Sequence, residues 1–167
     1  MELGLKGKVA LITGGSEGIG RATALKLAEE GAIVSVCARR AEPLAAVEKA
    51  LKAISSTVHT FQGDATNAEQ MQQWVAQVLK AFGRIDILVN NAGGSGQLSF
   101  DEIDEARWQE DVEVKLFAPM RMIRLVLPTM KAQKSGAIIN LTMAAAATPG
   151  ANQLPTVVSR QAGATLA

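Results

Sequence analysis

Short apolar runs alternate with helical patterns along almost the whole of this chain of 167 residues. The first run, 9–12, stops at a glycine-rich turn, 13–20, and a helical pattern follows from about 18 to 30. Strands that are apolar on both faces are typical of parallel strands buried between layers of helices. The alternation therefore predicts an α/β fold built on a doubly wound parallel sheet.

The rest of the chain continues the same alternation. Further strands are predicted at 33–38, 58–61, 85–89 and 137–141. Helices are predicted over about 42–54, from an N-cap at Thr66 or Asn67 to a stop at Gly83, and over about 105–130. Pro119 should kink this last helix or end a turn in it, because proline lacks an amide donor and clashes with the preceding turn.

A single Rossmann-like domain over 1–167 is expected, since no linker rich in proline, glycine or serine divides the chain. A helical pattern begins near Pro155 and no strand pattern follows it. The strand at 137–141 would then be an uncovered edge, which folded proteins normally avoid. Either a second subunit covers this edge, or the chain is a fragment that lacks a C-terminal substrate-binding segment. We favour the fragment, and with it a sheet that is incomplete on its C-terminal side.

Charge and residue counts exclude several classes of protein. Seventeen Lys and Arg against sixteen Asp and Glu leave a net charge of +1, which implies no bulk attraction to nucleic acid or to an anionic membrane. No apolar run reaches the roughly 18 residues that a transmembrane helix needs. With one histidine, His59, and one cysteine, Cys37, neither a zinc site nor an internal disulfide is expected. We expect a cytoplasmic protein without a metal.

The turn at 13–20 has the spacing Thr-Gly-x-x-x-Gly-x-Gly. Gly14 permits a tight turn, Gly18 permits close approach of the backbone to a diphosphate, and Gly20 permits close packing of helix and strand. Ser16 and Ile19 complete the loop, and the N-terminus of the helix supplies amide donors and a positive dipole end. The alternative is a glycine-rich turn with a structural role only.

This turn and the sequence Asn-Asn-Ala-Gly at 90–93 resemble the motifs of the short-chain dehydrogenase/reductase family. The resemblance covers nearly the whole chain. It implies an oxidoreductase that transfers a hydride between a nicotinamide cofactor and a carbonyl or alcohol. It also implies that Asp64 contacts the adenine and that Asn90, Ala92 and Gly93 flank the cofactor.

The end of the second predicted strand indicates which nucleotide is used. Ala38 stands where family members that use NAD often carry an aspartate, and Arg39 and Arg40 follow it. A carboxylate would repel a 2′-phosphate, whereas an arginine attracts it. With Ser16 as an extra donor, NADP(H) is predicted in preference to NAD(H), although both arginines could be ordinary solvated charges.

The family's reaction uses a tyrosine, a lysine four residues later, a serine and an asparagine, but this chain contains no tyrosine. The family register places the asparagine position on Lys115, the serine position on Met143, and the tyrosine and lysine positions on Thr156 and Arg160. All four positions are substituted. We expect that the tetrad is replaced, and not displaced to a point beyond residue 167.

Two of these residues have more than one interpretation. Lys115 could act as an acid or base if burial lowered its pKa, or it could be an ordinary charge at a helix edge. Arg160 stays protonated, so it could anchor an anionic substrate or the nicotinamide ribose.

Two functional hypotheses follow. The first is an NADP(H)-dependent oxidoreductase in which Lys115 or an ordered water supplies the proton. The second is a catalytically silent NADP(H)-binding homologue that acts as a sensor or a partner subunit.

Besides a small-molecule substrate, the resemblance implies a homodimer or homotetramer. An apolar stripe fits that state, though it could also face the sheet: Val112, Leu116, Met120, Ile123 and Leu127.

Overall fold

The computed structural model describes residues 3–94, 97–148, 150 and 152–166. Its strands are β1 Val9–Thr13, β2 Ile33–Ala38, β3 Val58–Gln62, β4 Ile87–Asn90, β5 Gln97–Leu98, β6 Ala137–Asn140 and β7 Leu154–Pro155. Its helices are α1 Gly18–Glu29, α2 Ala41–Lys52, α3 Ala68–Phe82, α4 Glu105–Val112, α5 Ala118–Gln133 and α6 Thr156–Ala164. Within these ranges, no helix is both long enough and apolar enough to cross a bilayer.

Five parallel strands form the main sheet in the order β3-β2-β1-β4-β6. The chain leaves β1 toward β2 and β3 on one side and continues with β4 and β6 on the other. The order therefore reverses between β1 and β4, where Thr13 lies opposite Asn90. This arrangement confirms the predicted doubly wound sheet, and it leaves a crevice at the carboxyl ends of the two strands.

Helices cover both faces of the sheet, and each face has its own apolar core. On one face Trp74 and Met71 of α3 pack with Val126 of α5. On the other, Val47 and Leu51 of α2 pack against β1 and β2. Apolar residues at helical spacing supply these faces, and their burial is the main force that holds a helix to a sheet. In α5 the buried face, with Met122, Val126 and Met130, is not the stripe that the sequence singled out.

Three residues end or begin helices as predicted. Gly31 and Gly83 follow α1 and α3 in the left-handed conformation, with φ of 83° and 71°, which a residue without Cβ adopts at little cost. The Asn67 side chain accepts a hydrogen bond of 3.0 Å from the Gln70 amide and so caps α3. Cys37 is buried in β2, and burial, with a smaller contribution from Asp64, raises the pKa of its thiol to about 12.

The single long helix predicted over 105–130 is instead three segments. Between α4 and α5 the backbone is π-helical over Glu113–Phe117. Pro119 lies in the first turn of α5 and has no N–H to offer the Lys115 carbonyl one turn back. Gly163 of α6 approaches that carbonyl closely, since a Cβ at position 163 would lie 3.0 Å from the Lys115 oxygen. The distortion expected at Pro119 therefore falls in the preceding turn, and α6 packs against it.

Two further differences concern strands. The fourth strand is Ile87–Asn90 and not 85–89. Asp86, just before it, is bonded to the start of β1, where its carboxylate accepts a bond of 2.9 Å from the Val9 amide. The short antiparallel pair of β5 and β7 was not predicted. Two-residue strands carry too little periodicity to be recognised from the sequence.

Asp86 is expected to stabilise the fold in a manner that depends on pH. It is 4% exposed and accepts bonds from Arg84 Nε and Nη2 at 2.7 and 2.6 Å. Burial raises the pKa of Asp86, but the bonds from Arg84 and Val9 and the charge of Lys8 outweigh it, so the pKa is lowered. The Asp86→Asn substitution should cost about 1.5–3 kcal/mol at pH 7, the worth of hydrogen bonds to a charged group.

The direction of the pH effect follows from linkage. Because the pKa is lower in the folded state, the stabilisation is present above the unfolded value of about 3.9 and is lost as pH falls through the folded value. Urea unfolding of both proteins at pH 7 and in acid should show the gap closing in acid. A gap that widens in acid contradicts this account. The exposed pair Lys26–Glu29 supplies the control, since Glu29→Gln should change stability by less than about 1 kcal/mol.

Candidate functional site

An open cleft of about 790 Å³ lies at the carboxyl ends of β1, β2 and β4, where the strand order reverses. Such crevices are the usual ligand sites of doubly wound sheets. Most of the residues predicted to bind a cofactor line it: Gly14, Ser16, Gly18, Ile19, Arg39, Arg40, Asp64, Ala92 and Gly93.

Two residues that sequence reasoning did not assign hold the glycine-rich loop to the end of β4. The Asn91 side-chain amide donates to the Thr13 and Gly14 carbonyls at 3.0 and 2.8 Å. The Thr13 hydroxyl in turn accepts from the Asn91 and Ala92 amides at 3.0 and 3.1 Å. The sequence signal that could have identified these two residues is a polar residue at the carboxyl end of each of two adjacent parallel strands. Thr13 ends β1, and Asn91 directly follows β4.

Three glycines of the loop have distinct roles. Gly14 has φ of 64°, and a Cβ there would lie 2.8 Å from the Ala92 Cα. At Gly20 a Cβ would overlap the Asn91 amide and lie 2.5 Å from the Gly14 carbonyl oxygen. The close approach that Gly20 permits is therefore to the loop and Asn91, and not to the strand as predicted. Gly18 has φ of 53° and nothing within 4 Å of the Cβ position, so it presents bare backbone to the cleft.

These features fit a diphosphate group. No side chain caps the N-terminus of α1, where Glu17 occupies the N-cap position. The first amides of the helix are left by geometry without intrahelical partners, and the helix dipole favours an anion beside them. A loop that is fixed by Asn91 and open at Gly18 offers such a group a preformed cradle.

One end of the cleft carries two arginines, and each has a carboxylate partner. Arg40 forms an ion pair with Glu17 of the loop. Arg39 Nη1 lies 4.0 Å from Asp64 Oδ2. Asp64 is also held locally, since its Oδ1 accepts from the Thr66 amide and hydroxyl at 2.9 and 2.8 Å. The two arginines and Glu17 are largely solvent-exposed and Asp64 is partly exposed, so an incoming anion can compete for the arginines.

The opposite end of the cleft is lined by Met143 and Arg160. Arg160 Nη1 donates to the Leu141 carbonyl at 2.7 Å, and its own carbonyl accepts from the Thr142 hydroxyl at 3.2 Å. These bonds tie the guanidinium to the end of β6 and leave its other N–H groups available to a ligand.

Lys115 and Thr156, the other two residues predicted to occupy tetrad positions, do not line this cleft. Lys115 is 6% exposed, and its ammonium pairs with Asp111 and donates to the Thr156 hydroxyl at 2.6 Å. Asp111 also accepts from the Ser159 hydroxyl. We call these four residues the α4–α6 cluster. Burial lowers the pKa of Lys115, Asp111 opposes that effect, and the charge of Arg160 adds to it, so that the pKa is lowered overall.

Two residues predicted to bind a cofactor also lie outside the cleft lining. Gly20 lies behind the loop, as described above. Asn90 is buried at the end of β4, and its side-chain nitrogen donates to Asn140 Oδ1 at 2.9 Å, which links β4 to β6. In the ranges that the structure covers, no three His, Cys, Asp or Glu side chains converge as metal ligands would.

Comparison with known proteins decides the family. The chain matches the short chain dehydrogenase family over residues 8–166. It belongs to this family. The 3-oxoacyl-[acyl-carrier-protein] reductase FabG of Staphylococcus epidermidis is 38% identical over 136 residues, which are 81% of this chain and 56% of that protein. The chain thus spans little more than half the length of this short-chain dehydrogenase relative.

Two solved structures agree closely with the fold. L-Sorbose reductase from Gluconobacter frateurii, in complex with NADPH and L-sorbose, superposes with a TM-score of 0.94 at 34% identity, covering 99% of this chain and 64% of that one. NAD+-bound xylitol dehydrogenase superposes with a TM-score of 0.92 at 28% identity, covering 97% and 63%. The neighbours therefore include complexes with either nicotinamide dinucleotide.

Proposed function

We propose that this short-chain dehydrogenase transfers a hydride between NADP(H) and a carbonyl or alcohol substrate. The observation that carries the proposal is the cradle at the N-terminus of α1, with Gly18 open to the cleft and Arg39 and Arg40 at the end of the neighbouring strand. The nicotinamide ring, when bound, supplies or accepts the hydride. The work of the chain is to hold the diphosphate, to select the nucleotide and to polarise the substrate oxygen.

At the other end of the cleft, Arg160 is the side chain that we propose contacts the substrate or the nicotinamide ribose. Its guanidinium is fixed by the Leu141 carbonyl and keeps its charge, so it can donate hydrogen bonds to a substrate oxygen, an anionic group or the nicotinamide ribose. It does not release a proton. Lys115 is enclosed by Asp111 and Thr156, so of the two proton sources considered, a water molecule is the one we propose.

A direct test combines binding and turnover. Calorimetry with NADPH measures the cofactor site, and NADPH oxidation with a panel of ketones and oxo acids measures hydride transfer. Binding with turnover supports the proposal. Binding without turnover on any substrate would instead support the silent homologue, and an absence of binding would exclude both.

Replacing Arg39 by aspartate is expected to weaken NADPH binding by about ten- to a hundredfold, because one charge-assisted hydrogen bond to the 2′-phosphate, worth about 1.5–3 kcal/mol, is lost. NADH lacks that phosphate and should bind the variant about as well as the original protein. Calorimetric titration of both dinucleotides checks this. Equal losses for the two would contradict a role of Arg39 in selecting the phosphate.

We further propose that the chain forms a homo-oligomer through α4 and α5. The predicted stripe is half-buried at each of its five positions, and a separate face of α5 enters the core. Ile123 packs against that core, whereas Val112, Leu116, Met120 and Leu127 remain partly exposed. Phe117 beside it is 40% exposed. Half-buried apolar surface of this kind is available to a second subunit. Sedimentation equilibrium tests the proposal.

A further inference from the structure

The end of the cleft that would receive a 2′-phosphate carries as many carboxylates as guanidinium groups. Arg39 and Arg40 line it, and so do Asp64 and Glu17. The two pairs differ in how closely their charged groups approach each other. Arg39 lies 4.0 Å from Asp64, whereas Arg40 is in direct contact with Glu17. Of the two arginines, Arg40 is therefore the one already engaged by the protein.

The Glu17–Arg40 pair joins two parts of the chain that build the cleft. Glu17 is the N-cap residue of α1, next to the bare backbone of Gly18, and Arg40 is the N-cap residue of α2. Glu17 does not cap its helix through the side chain. Its carboxylate is thus held beside the diphosphate cradle by Arg40 and by no helix-capping bond.

A phosphate monoester that binds Arg40 competes with this carboxylate for the guanidinium. Separating Glu17 from Arg40 costs little free energy, since exposed ion pairs contribute little to stability. The freed carboxylate, however, stays within a few ångströms of a group that carries nearly two negative charges. By Coulomb's law in water, charges of like sign at such separations weaken binding by about tenfold.

We propose that Glu17 and the cofactor's 2′-phosphate compete for the Arg40 guanidinium, so that Glu17 limits the preference of this cleft for NADP(H) over NAD(H). This inference rests on the proposed function, because it presupposes that the cleft binds a nicotinamide dinucleotide. In this inference Glu17 of the loop disfavours the 2′-phosphate, whereas Arg39 favours it.

The test uses two small probes that differ by the phosphate in question, adenosine 2′,5′-bisphosphate and 5′-AMP. Calorimetry on the Glu17→Gln variant should show the bisphosphate bound about tenfold more tightly than by the original protein, with the affinity for 5′-AMP changed by less than about twofold. Gln keeps the length of the side chain and removes its charge. Glu29→Gln, at the far end of α1, is the matched control and should leave both affinities unchanged.

A double-mutant cycle separates competition from a general charge effect. In an Arg40→Gln background Glu17 is no longer held at the phosphate position, so the gain from Glu17→Gln should fall to about twofold or less. An equal gain in both backgrounds overturns the competition, as does a Glu17→Gln variant whose preference between the probes is unchanged. If the original protein binds NADPH but the preference does not move, only this inference fails. If it binds neither NADPH nor the probes, the proposed function fails with it.

Discussion

Replacing Lys115 by methionine is expected to lower the free energy of unfolding by about 3–5 kcal/mol, the usual cost of removing one partner of a buried ion pair. The ammonium is enclosed by Asp111 and the Thr156 hydroxyl, and the Lys115 side chain is only 3% exposed. Without it, the Asp111 carboxylate keeps one donor, Ser159, and is left with an uncompensated charge away from water. Urea unfolding followed by circular dichroism measures the loss.

A second variant distinguishes a broken pair from a merely repacked core. In the double variant Asp111→Leu with Lys115→Met both charges disappear, and most of the lost stability should return, since an apolar pair of similar volume often replaces a buried ion pair without loss. Lys80→Met, at an exposed position on α3, is the control and should change stability by less than about 0.5 kcal/mol. A double variant as unstable as Lys115→Met would show that the charges are not the cause.

This cluster also bears on catalysis in the family to which the chain belongs. A lysine locked between a carboxylate and a hydroxyl is a poor proton carrier, whereas Arg160 faces the cleft with free donors. The four residues predicted to occupy the tetrad positions divide into a buried pair, Lys115 and Thr156, and a pair that lines the cleft, Met143 and Arg160. We expect the chemistry to depend on the second pair.

The parts of the fold that sequence reasoning predicted are those set by local patterns. Apolar runs bounded by glycine gave the strands of the main sheet, and glycine spacing gave the loop at 13–20, because both signals lie within one short segment. The cleft then followed from the topology, since parallel strands bring their carboxyl ends to one edge.

The parts that it missed depend on residues far apart in the chain. Thr156 lies 41 residues from Lys115, and Arg40 lies 23 residues from Glu17. No periodicity reports such contacts. Asp111 is the exception, because its spacing of four residues from Lys115 places the two side chains on one helical face. The sequence analysis leaves Lys115 open as an acid or base of lowered pKa or as a charge at a helix edge, and the structure instead buries it beside Asp111, one turn away.

The substitution Gly20→Ala is expected to weaken NADPH binding by about a hundredfold while the protein stays folded. A methyl group at this position meets the Asn91 amide and the Gly14 carbonyl oxygen, which is backbone and cannot rotate away. The loop must therefore shift, and the bond of 2.8 Å from Asn91 to the Gly14 carbonyl must lengthen or break. Amides that are displaced from the diphosphate lose charge-assisted bonds, and the loss of one or two of these accounts for a factor of about a hundred.

The control for this prediction is Gly150→Ala, a position that does not line the cleft. A Cβ at Gly150 would make only ordinary van der Waals contacts, the nearest at 3.6 Å to the Gln153 side chain, and the residue does not need the left-handed conformation. Calorimetry with NADPH should find this variant unchanged, and thermal unfolding should show both variants folded at the temperature of the assay. If Gly20→Ala binds NADPH as tightly as Gly150→Ala does, the amides of this loop do not hold the diphosphate, and the cofactor site must be sought elsewhere on the chain.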